Sequence, residues 1–310
     1  MMNTNPLPWL LEGDPSIRWQ VMRDLIEEPP QVYEQERARV AVEGWGKQLL
    51  YLQAADGSWG GGVYSPKWIS TTYTLLLLRH LGLPPGHEQA LRGCEKFFFR
   101  GLEKDGGINL FKGIHYSETC INGMLLALLA YFRYPDERIH SVAQFLFDEQ
   151  MPDGGWNCER IHGATHASFH TTISVLEGLA EYQKACPHAA AAVKKAADSA
   201  HEFLLQHQLY KSHRTGQVAD PAMTLMHFPP RWRYDFIRAL DYFQGVKAPR
   251  DERMQPAVSL LLEKRRGEDG LWVLNKPWPG RIHFPIEETG QPSRWNTLRA
   301  LRVLKWWNRP

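Results

Sequence analysis

The sequence has few cysteines, little net charge and no long apolar run, and each shortage excludes a class of protein. The four Cys residues among 310 are widely spaced without a disulfide framework, so we expect a reducing cytoplasm as the compartment. A net charge of +2 without blocks of like charge is too small to suggest a nucleic-acid or membrane partner through charge alone. No apolar run approaches the ~20 residues of a membrane span, and the first residues lack a signal-peptide pattern.

A short motif recurs along the chain. The segment "QAADGSWGGG" at 53–62 returns as "QMPDGGWNCE" at 150–159, and "EKDGGINLF" at 103–111 and "GEDGLWVLN" at 267–275 are looser copies. The Asp residues at 56, 105 and 153 are 49 and 48 residues apart. A period near 50 indicates repeated supersecondary modules, and the D-G pairs are typical of turns rather than of catalytic groups.

Each module reads as an outer and an inner helix. Amphipathic outer helices are predicted at 86–102 and 138–150, each ended by a D-G turn. Mostly apolar inner helices are predicted at 14–25, 70–81, 118–132, 169–182, 233–243 and 294–307. Six such pairs predict an all-α fold, a single α/α toroid over residues 1–310 built of ~50–60-residue units. The polar starts of the inner helices then surround one mouth of a central cavity.

An acid and a thiol begin one of these inner helices, in "SETCINGML" at 117–125. Carboxylate and thiolate groups both bind zinc. Glu118 and Cys120 converge if Glu118 is still extended and Thr119 caps the helix, because two residues on a continuous helix point ~200° apart. The alternative is an ordinary half-buried Cys beside a solvated acid.

The repeats resemble those of the superfamily that holds squalene and terpene cyclases and the β subunits of protein prenyltransferases. "SETCINGML" is similar to the acid-x-Cys element of the prenyltransferase β subunits, and "FHTTISVLEGL" at 169–179 is similar to their His-Thr element. The resemblance implies that Glu118, Cys120 and His170 are zinc ligands, with Glu in place of the family's Asp. It also implies an open fourth coordination position for water or substrate.

A second set of metal-binding residue types lies in "NCERIHGATHASFH" at 157–170. Cys158, His162, His166 and His170 recur at every fourth position, which on a helix would form one stripe. Gly163 and the preceding D-G-G-W turn favour a loop. Each of these residues is therefore either an auxiliary ligand or catalytic base, or a loop side chain packed over the mouth.

Several family features are missing. The chain has no D-x-D-D stretch, which the alkene-protonating cyclases carry. Lys112 and His115 occupy two basic positions upstream of the acid-x-Cys element, but 70–74 offers hydroxyls and no His. A diphosphate site is therefore doubtful. The prenyltransferases also need a helical-repeat α subunit, and this chain contains none.

Other polar and aromatic residues fall at inner-helix starts. Arg233 and Arg294 are candidates to bind an anionic group, with Trp295 beside the latter. Tyr234 and His115 are candidates to move a proton, and Asp235 to pair with a cation or a His. The alternative is helix capping and local ion pairing. The loop at 223–235, rich in Met, Phe, Trp and Pro, predicts either an apolar wall or simple packing.

These observations predict a zinc-dependent enzyme that acts on a small hydrophobic or aromatic molecule in the central cavity. The reaction, whether hydrolysis, elimination or isomerisation, stays open. A prenyl-diphosphate-dependent transferase is the first alternative, as the resemblance implies. A non-catalytic toroid that binds an apolar ligand or a partner protein is the second. The sequence does not indicate an oligomeric state.

Overall fold

The structure is a computed structural model that describes residues 5–267 and 269–309. Its regular structure is helical, with no β-strand in this part of the chain. The thirteen α-helices, named α1 to α13 in chain order, are Leu7–Leu11, Pro15–Val21, Pro30–Ala38, Gly44–Tyr51, Thr71–Leu81, Glu88–Glu95, Thr119–Tyr131, Arg138–Asp148, Phe169–Ala185, Ala190–Gln206, Phe236–Gly245, Gln255–Glu263 and Arg294–Trp307. No described helix is both long and apolar enough to cross a membrane.

Six of these helices form an inner ring, and six pack around it. The inner helices are α2, α5, α7, α9, α11 and α13, and α13 packs against α2, which closes the ring. Outer helices α3, α6, α8, α10 and α12 each pack against the inner helix before them, and α4 packs against α5. The predicted all-α toroid with inner and outer rings is confirmed.

The inner helices are buried because their sequences are apolar on nearly every side. In α7 every residue from Thr119 to Ala130 except Cys120 is buried. Helices α7 and α9 approach closely through two glycines. A Cβ at Gly123 would lie 2.8 Å from the Ser174 backbone, and one at Gly178 would lie 2.4 Å from the Gly123 oxygen. This close crossing brings the starts of α7 and α9 side by side.

The repeat tryptophan connects an outer helix to the next inner helix. The Trp156 indole donates to the Leu146 carbonyl oxygen at 2.7 Å, and its backbone N–H donates to Thr172 Oγ1 at 3.0 Å. Trp59 makes the matching contacts with the Leu49 carbonyl oxygen and Thr71 Oγ1. Trp272 makes them with the Leu261 carbonyl oxygen and Thr297 Oγ1. We call this pair of bonds the tryptophan clamp. It holds the end of an outer helix and the start of an inner helix at fixed separation.

In the repeat at 103–111, the Asn122 side-chain amide takes the place of the tryptophan clamp. Ile108 stands where the other repeats have Trp, and its N–H donates to Asn122 Oδ1 at 2.7 Å. Asn122 Nδ2 donates back to the Ile108 carbonyl oxygen at 2.9 Å. The D-G turns behave as turn chemistry predicts, since Asp56 Oδ1 accepts from the Ser58 N–H and Gly57 has φ +86°.

Some predicted helix limits are wrong. The helix predicted from residue 233 begins at Phe236, because the Asp235 carboxylate accepts from the Arg238 N–H and caps it. The helix predicted over 86–102 ends at Glu95 and continues only as a 3-10 turn, Lys96–Phe98. Glu118 is extended as predicted, but it occupies the N-cap position itself and Thr119 is already helical.

The tryptophan clamp gives a stability prediction. Thr172→Val removes the acceptor of the buried Trp156 N–H, and an unpaired buried donor costs about 1–3 kcal/mol. We expect the free energy of unfolding in urea to fall by that amount. The matched control is Thr165→Val on an exposed loop, which should change it by about 0.5 kcal/mol or less. Equal effects of the two substitutions would contradict the clamp's role.

Candidate active site at the starts of the inner helices

Two thiols lie together where α7 and α9 begin. Cys120 is the second residue of α7, and Cys158 opens the 3-10 turn Cys158–His162. The Asn157 side chain accepts from the Glu159 N–H at 3.0 Å and so caps this turn. The two thiols lie close enough for each to shift the pKa of the other, and Cys158 Sγ lies 3.3 Å from Thr171 Oγ1. The sequence offered Cys158 as an auxiliary residue, and the structure brings it to Cys120.

The thiol pair is electrically asymmetric. The hydrogen bond from Cys120 and the one from Thr171 outweigh burial and lower the pKa of Cys158 to about 7. The same thiol–thiol bond, together with burial, raises the pKa of Cys120 well above its usual value. Cys158 is therefore the thiol of the pair that ionises first. A thiolate near neutral pH is the nucleophilic form of cysteine.

Glu118 lies beside this pair. Burial raises the pKa of Glu118, while the Lys67 ammonium opposes that rise and Glu159 adds to it. Its negative charge in turn raises the pKa of both thiols. A carboxyl group with a raised pKa holds a proton closer to neutral pH than an ordinary Glu does.

Aromatic rings border the thiols and the acid. Tyr64 is close enough to Glu118 and both thiols for their charges to raise its pKa, after the larger effect of burial. The Tyr64 ring lies 5.3 Å from Tyr73 and 5.6 Å from Phe111. These rings give the cluster an apolar side.

One ammonium lies over three of the rings at the mouth. Lys67 Nζ is 5.2 Å from the ring centroid of Tyr64, 5.8 Å from that of Trp68 and 5.5 Å from that of Trp232. Distances of this size allow cation–π attraction. The Arg231 guanidinium also lies over Trp68, at 5.4 Å.

A loop from the far end of the chain packs over the Trp68 segment. The Trp68 indole donates to the Pro279 carbonyl oxygen at 3.0 Å, and the Trp68 backbone N–H donates to the Arg281 carbonyl oxygen at 2.7 Å. Gly280 allows this contact, since a Cβ there would lie 2.4 Å from Trp68 Nε1. Residues about 210 positions apart thus build one wall of the mouth.

His170 has a partner that competes with metal binding. Its Nδ1 accepts from the Tyr234 backbone N–H at 2.8 Å, and its ring lies 5.3 Å from the Trp232 ring, edge to face. Burial and the Arg233 charge lower its pKa to about 4, so the ring is neutral. The single ring proton then sits on Nε2, because Nδ1 is an acceptor. Nε2 in this form has no lone pair to offer a metal.

The predicted zinc ligands do not fit a zinc ion in this arrangement. Among residues 5–267 and 269–309, no three His, Cys, Asp or Glu side chains lie together so that they could hold a metal ion. Glu118 and Cys120 are neighbours, and the side chain that accompanies them is that of Cys158. His170 instead accepts a hydrogen bond from the Tyr234 backbone N–H. Zinc dependence itself stays a prediction from the sequence.

The other predicted histidines and Lys112 lie on the surface. His162, His166, His115 and Lys112 are exposed. His162 Nε2 lies 3.1 Å from the Tyr116 hydroxyl, which places it at the rim. Among the described contacts, none connects these four side chains to Cys120, Cys158 or Glu118.

The predicted proton-transfer and anion-binding residues have structural partners. The Tyr234 hydroxyl donates to the Leu209 carbonyl oxygen, and burial raises its pKa well above the usual value. Asp235 caps α11 and is buried. The Arg233 guanidinium lies between the Trp232 and Trp278 rings, at 4.3 and 4.2 Å.

The predicted pair at the start of α13 divides between two places. Arg294 Nε donates to the Trp9 carbonyl oxygen at 3.0 Å and so anchors α1. Trp295 faces the ring interior, where it stacks on Phe228 with ring centroids 4.1 Å apart. The residues that the motif reasoning did not identify are Tyr64, Lys67 and Trp68. Their only signal is an aromatic and basic segment placed just before an inner helix.

No protein-family model matches the chain, and no curated protein matches it. Among solved structures, it is similar to the apo form of the type II terpene cyclase MstE from Scytonema, with a TM-score of 0.46 and 17% identity over 94% of this chain and 88% of that one. A variant of MstE in complex with geranylgeranyl dihydroxybenzoate gives a TM-score of 0.46 and 18% identity over 94% and 86%. A variant that holds the product merosterolic acid A gives 0.35 and 14% over 88% and 96%. TM-scores below 0.5 carry no argument about ligand or activity.

Proposed function

We propose that the chain is an enzyme that acts on a small hydrophobic or aromatic molecule bound where the inner helices begin. The observation that carries this proposal is the gathering of Cys158, Cys120 and Glu118 beside the ring of Tyr64. Two thiols lie there beside aromatic surface, and the Glu118 carboxyl group is near enough for its charge to shift the pKa of both. Such a combination is typical of sites that bind an apolar body and act on a polar or electrophilic centre.

Cys158 is the proposed nucleophile. Because its pKa is lowered, Cys158 is thiolate to a larger extent near neutral pH than an ordinary cysteine is. The neighbouring Cys120 thiol favours the thiolate form of Cys158 and plays the part that a base or cation plays in other activated cysteines. Thr171 Oγ1, 3.3 Å from the sulfur, adds a second hydrogen-bonding group.

Glu118 is the proposed proton carrier. Its raised pKa suits a carboxyl group that gives a proton to the ligand and takes it back near neutral pH. Among the charged groups, Lys67 has the largest effect on the pKa of Glu118. A substrate oxygen between the two side chains would therefore be polarised by the ammonium. The same lysine lies over Tyr64, Trp68 and Trp232, which offer faces for an aromatic or unsaturated body.

The zinc and prenyl-diphosphate hypotheses rest on the resemblance of the motifs. The donor set at Glu118, Cys120 and His170 does not fit a metal ion, so no step of the proposed reaction passes through one. Lys112 and His115, the proposed diphosphate-binding positions, are exposed. Prenyl transfer stays a prediction from the sequence.

Alkylation by iodoacetamide at increasing pH tests the proposed nucleophile. The extent of alkylation is measured by mass spectrometry of the peptide that contains Cys158. We expect its rate of alkylation to rise with pH with a midpoint near pH 7. Cys120→Ala should raise the midpoint, because the thiolate loses its donor. Glu118→Gln should lower it, because the carboxylate charge that opposes ionisation is gone.

Cys186→Ser is the control, since this half-buried thiol lies at the end of α9 outside the cluster and should leave the Cys158 midpoint unchanged. A Cys158 midpoint at the value of a free thiol, about 8.5, would remove the proposed nucleophile.

Aromatic maleimides test the proposed ligand class. N-phenylmaleimide should modify Cys158 with saturation kinetics, and N-methylmaleimide at a rate linear in concentration, because only the former has a ring to bind. Phe111→Ala should raise the half-saturation concentration about fivefold, as loss of one aromatic contact worth about 1 kcal/mol implies.

Phe99→Ala, at a ring that is 55% exposed, is the matched control and should have no effect. The unreactive N-phenylsuccinimide should compete with the reagent. Linear kinetics with both maleimides would contradict binding at this mouth. Competition without any enhanced reactivity of Cys158 would favour the non-catalytic binding toroid.

Metal analysis of protein purified without a nickel column tests the zinc hypothesis. We expect far less than one zinc per chain, because His170 Nδ1 is taken by the Tyr234 N–H and three ligands do not converge. His170→Ala should then leave the metal content unchanged. A content near one that is lost in both Cys120→Ala and His170→Ala would restore the zinc site.

A further inference from the structure

Two histidines face each other where α10 ends, apart from the thiol cluster. His207 is the residue that follows α10, and His213 lies in the loop just beyond it. His213 Nδ1 is 2.9 Å from His207 Nε2. His213 is exposed and His207 is half-buried, so the pair lies at the surface. None of the sequence motifs pointed to either residue.

The ring of His207 is held in one orientation with one nitrogen free to bind. Its Nδ1 lies 2.7 Å from the Phe203 carbonyl oxygen, which can only accept, so Nδ1 carries the proton. The Phe203 and Phe169 rings lie 4.5 and 5.1 Å from the His207 ring. Burial lowers the pKa of His207, so the ring is neutral near neutral pH. A neutral His whose other N–H donates to a backbone carbonyl is the usual form of a metal ligand.

Backbone hydrogen bonds fix the loop that carries the second histidine. The Lys211 N–H donates to the His207 carbonyl oxygen at 2.7 Å, which ties the start of the loop to the end of α10. The Ser212 N–H donates to the Gln217 carbonyl oxygen at 2.8 Å, so His213 lies inside a closed turn. A fixed frame of this kind lowers the entropy cost of holding two ligands together.

The spacing of the two nitrogens matches that of neighbouring ligands on one metal ion. Two metal–nitrogen bonds of about 2.0–2.1 Å that meet at a right angle put their nitrogens about 2.9 Å apart, whereas a tetrahedral angle puts them about 3.4 Å apart. The His207 and His213 nitrogens are 2.9 Å apart. Right angles are the geometry of square-planar and octahedral ions such as Cu²⁺ and Ni²⁺, and structural Zn²⁺ is tetrahedral.

The orientation of the two rings also suits a shared ion. A head-on N–H···N bond of this length would place the ring centroids about 5.1 Å apart, because each nitrogen lies about 1.1 Å from its ring centre. The centroids of His207 and His213 are 4.7 Å apart, with 88° between the ring planes. The two nitrogens therefore point at an angle to one another, as two ligands of the same ion do.

We propose that His207 Nε2 and His213 Nδ1 bind a divalent ion of the Ni²⁺ or Cu²⁺ class at adjacent coordination positions. Binding moves the His213 ring proton from Nδ1 to Nε2, so no proton is released. No third His, Cys, Asp or Glu side chain joins the pair among residues 5–267 and 269–309, so water fills the other positions. The ion clips the loop to the end of α10. This site is independent of the proposed thiol chemistry and of the zinc site that the motifs predict.

Calorimetric titration of the tag-free full chain with NiCl₂ tests the site, because Ni²⁺ does not oxidise thiols as Cu²⁺ does. We expect about one Ni²⁺ per chain, bound more tightly than Zn²⁺ because of the right-angle spacing. His207→Gln and His213→Asn should each weaken Ni²⁺ binding about tenfold or more, because each leaves a single imidazole. His213 is exposed, so the circular dichroism of His213→Asn should be unchanged.

His188→Asn is the matched control and should not change Ni²⁺ binding. The His188 ring also lies beside another histidine, His140, with centroids 5.7 Å apart. Both ring nitrogens of His140 already have partners, the Tyr182 hydroxyl at 2.6 Å and a Glu137 carboxylate oxygen at 3.1 Å. Cys158→Ser should leave Ni²⁺ binding unchanged as well, which separates this site from the thiols.

Thermal unfolding at increasing Ni²⁺ concentration tests the clip. The midpoint should rise with Ni²⁺ in the unsubstituted chain and not in His213→Asn, because an ion that binds only the folded state stabilises it. Absence of saturable Ni²⁺ binding, or binding that survives both His207→Gln and His213→Asn, would overturn the proposal. Tighter binding of Zn²⁺ than of Ni²⁺ would overturn the right-angle arrangement. Loss of Ni²⁺ binding in Cys158→Ser would place the ion at the thiols instead.

Discussion

The rest of the structure depends on the tryptophan clamp. A repeat Trp donates its indole N–H to the last turn of an outer helix and its backbone N–H to a Thr in the first turn of an inner helix. Both bonds are buried, so a shift of either helix would leave a donor unpaired. The same two bonds recur at Trp59 and Trp272. Because the clamp always holds an inner-helix start, every inner helix that it serves begins on the same side of the ring.

This common direction sorts the chemistry of the molecule into two ends. The thiols, Glu118 and the mouth aromatics belong to segments that lead into inner helices, where backbone N–H groups favour negative charge. Arg79, Arg133 and Lys184 belong to the last turns or just beyond, where backbone carbonyls favour cations. A thiol of lowered pKa at one end and more cations than carboxylates at the other are therefore consequences of one topology. The close crossing at Gly123 and Gly178 then sets which two starts meet.

Local patterns predicted the fold better than they predicted the site. Apolar periodicity and D-G turns were enough for the six inner helices, because both are properties of short segments. The extended backbone at Glu118 was also predictable, since an acid and a thiol two residues apart converge only that way. The partner of His170 was not, because it is a backbone N–H 64 residues away. Nor was the Trp68 wall, which depends on a loop some 210 residues distant. The family motif indicated the right helix starts, whereas the proton position on one imidazole decides whether they can hold a metal.

Paired charges and stacked rings line the cavity at the end of the ring opposite the thiols. Glu177 lies between Arg238 and Arg79. Burial alone would raise its pKa, but the two guanidinium groups outweigh burial and lower the pKa to about 2. Its contribution to stability is therefore complete above the ordinary pKa of 4.5 and is lost only as the pH falls through 2. A pair of this kind is costly to break, since removing one partner leaves a buried charge. The Phe228–Trp295 stack and these ion pairs line one cavity, and neither thiol lines it. For the apolar ligand that we propose, the rings beside the thiols offer a better surface than this charged cavity does.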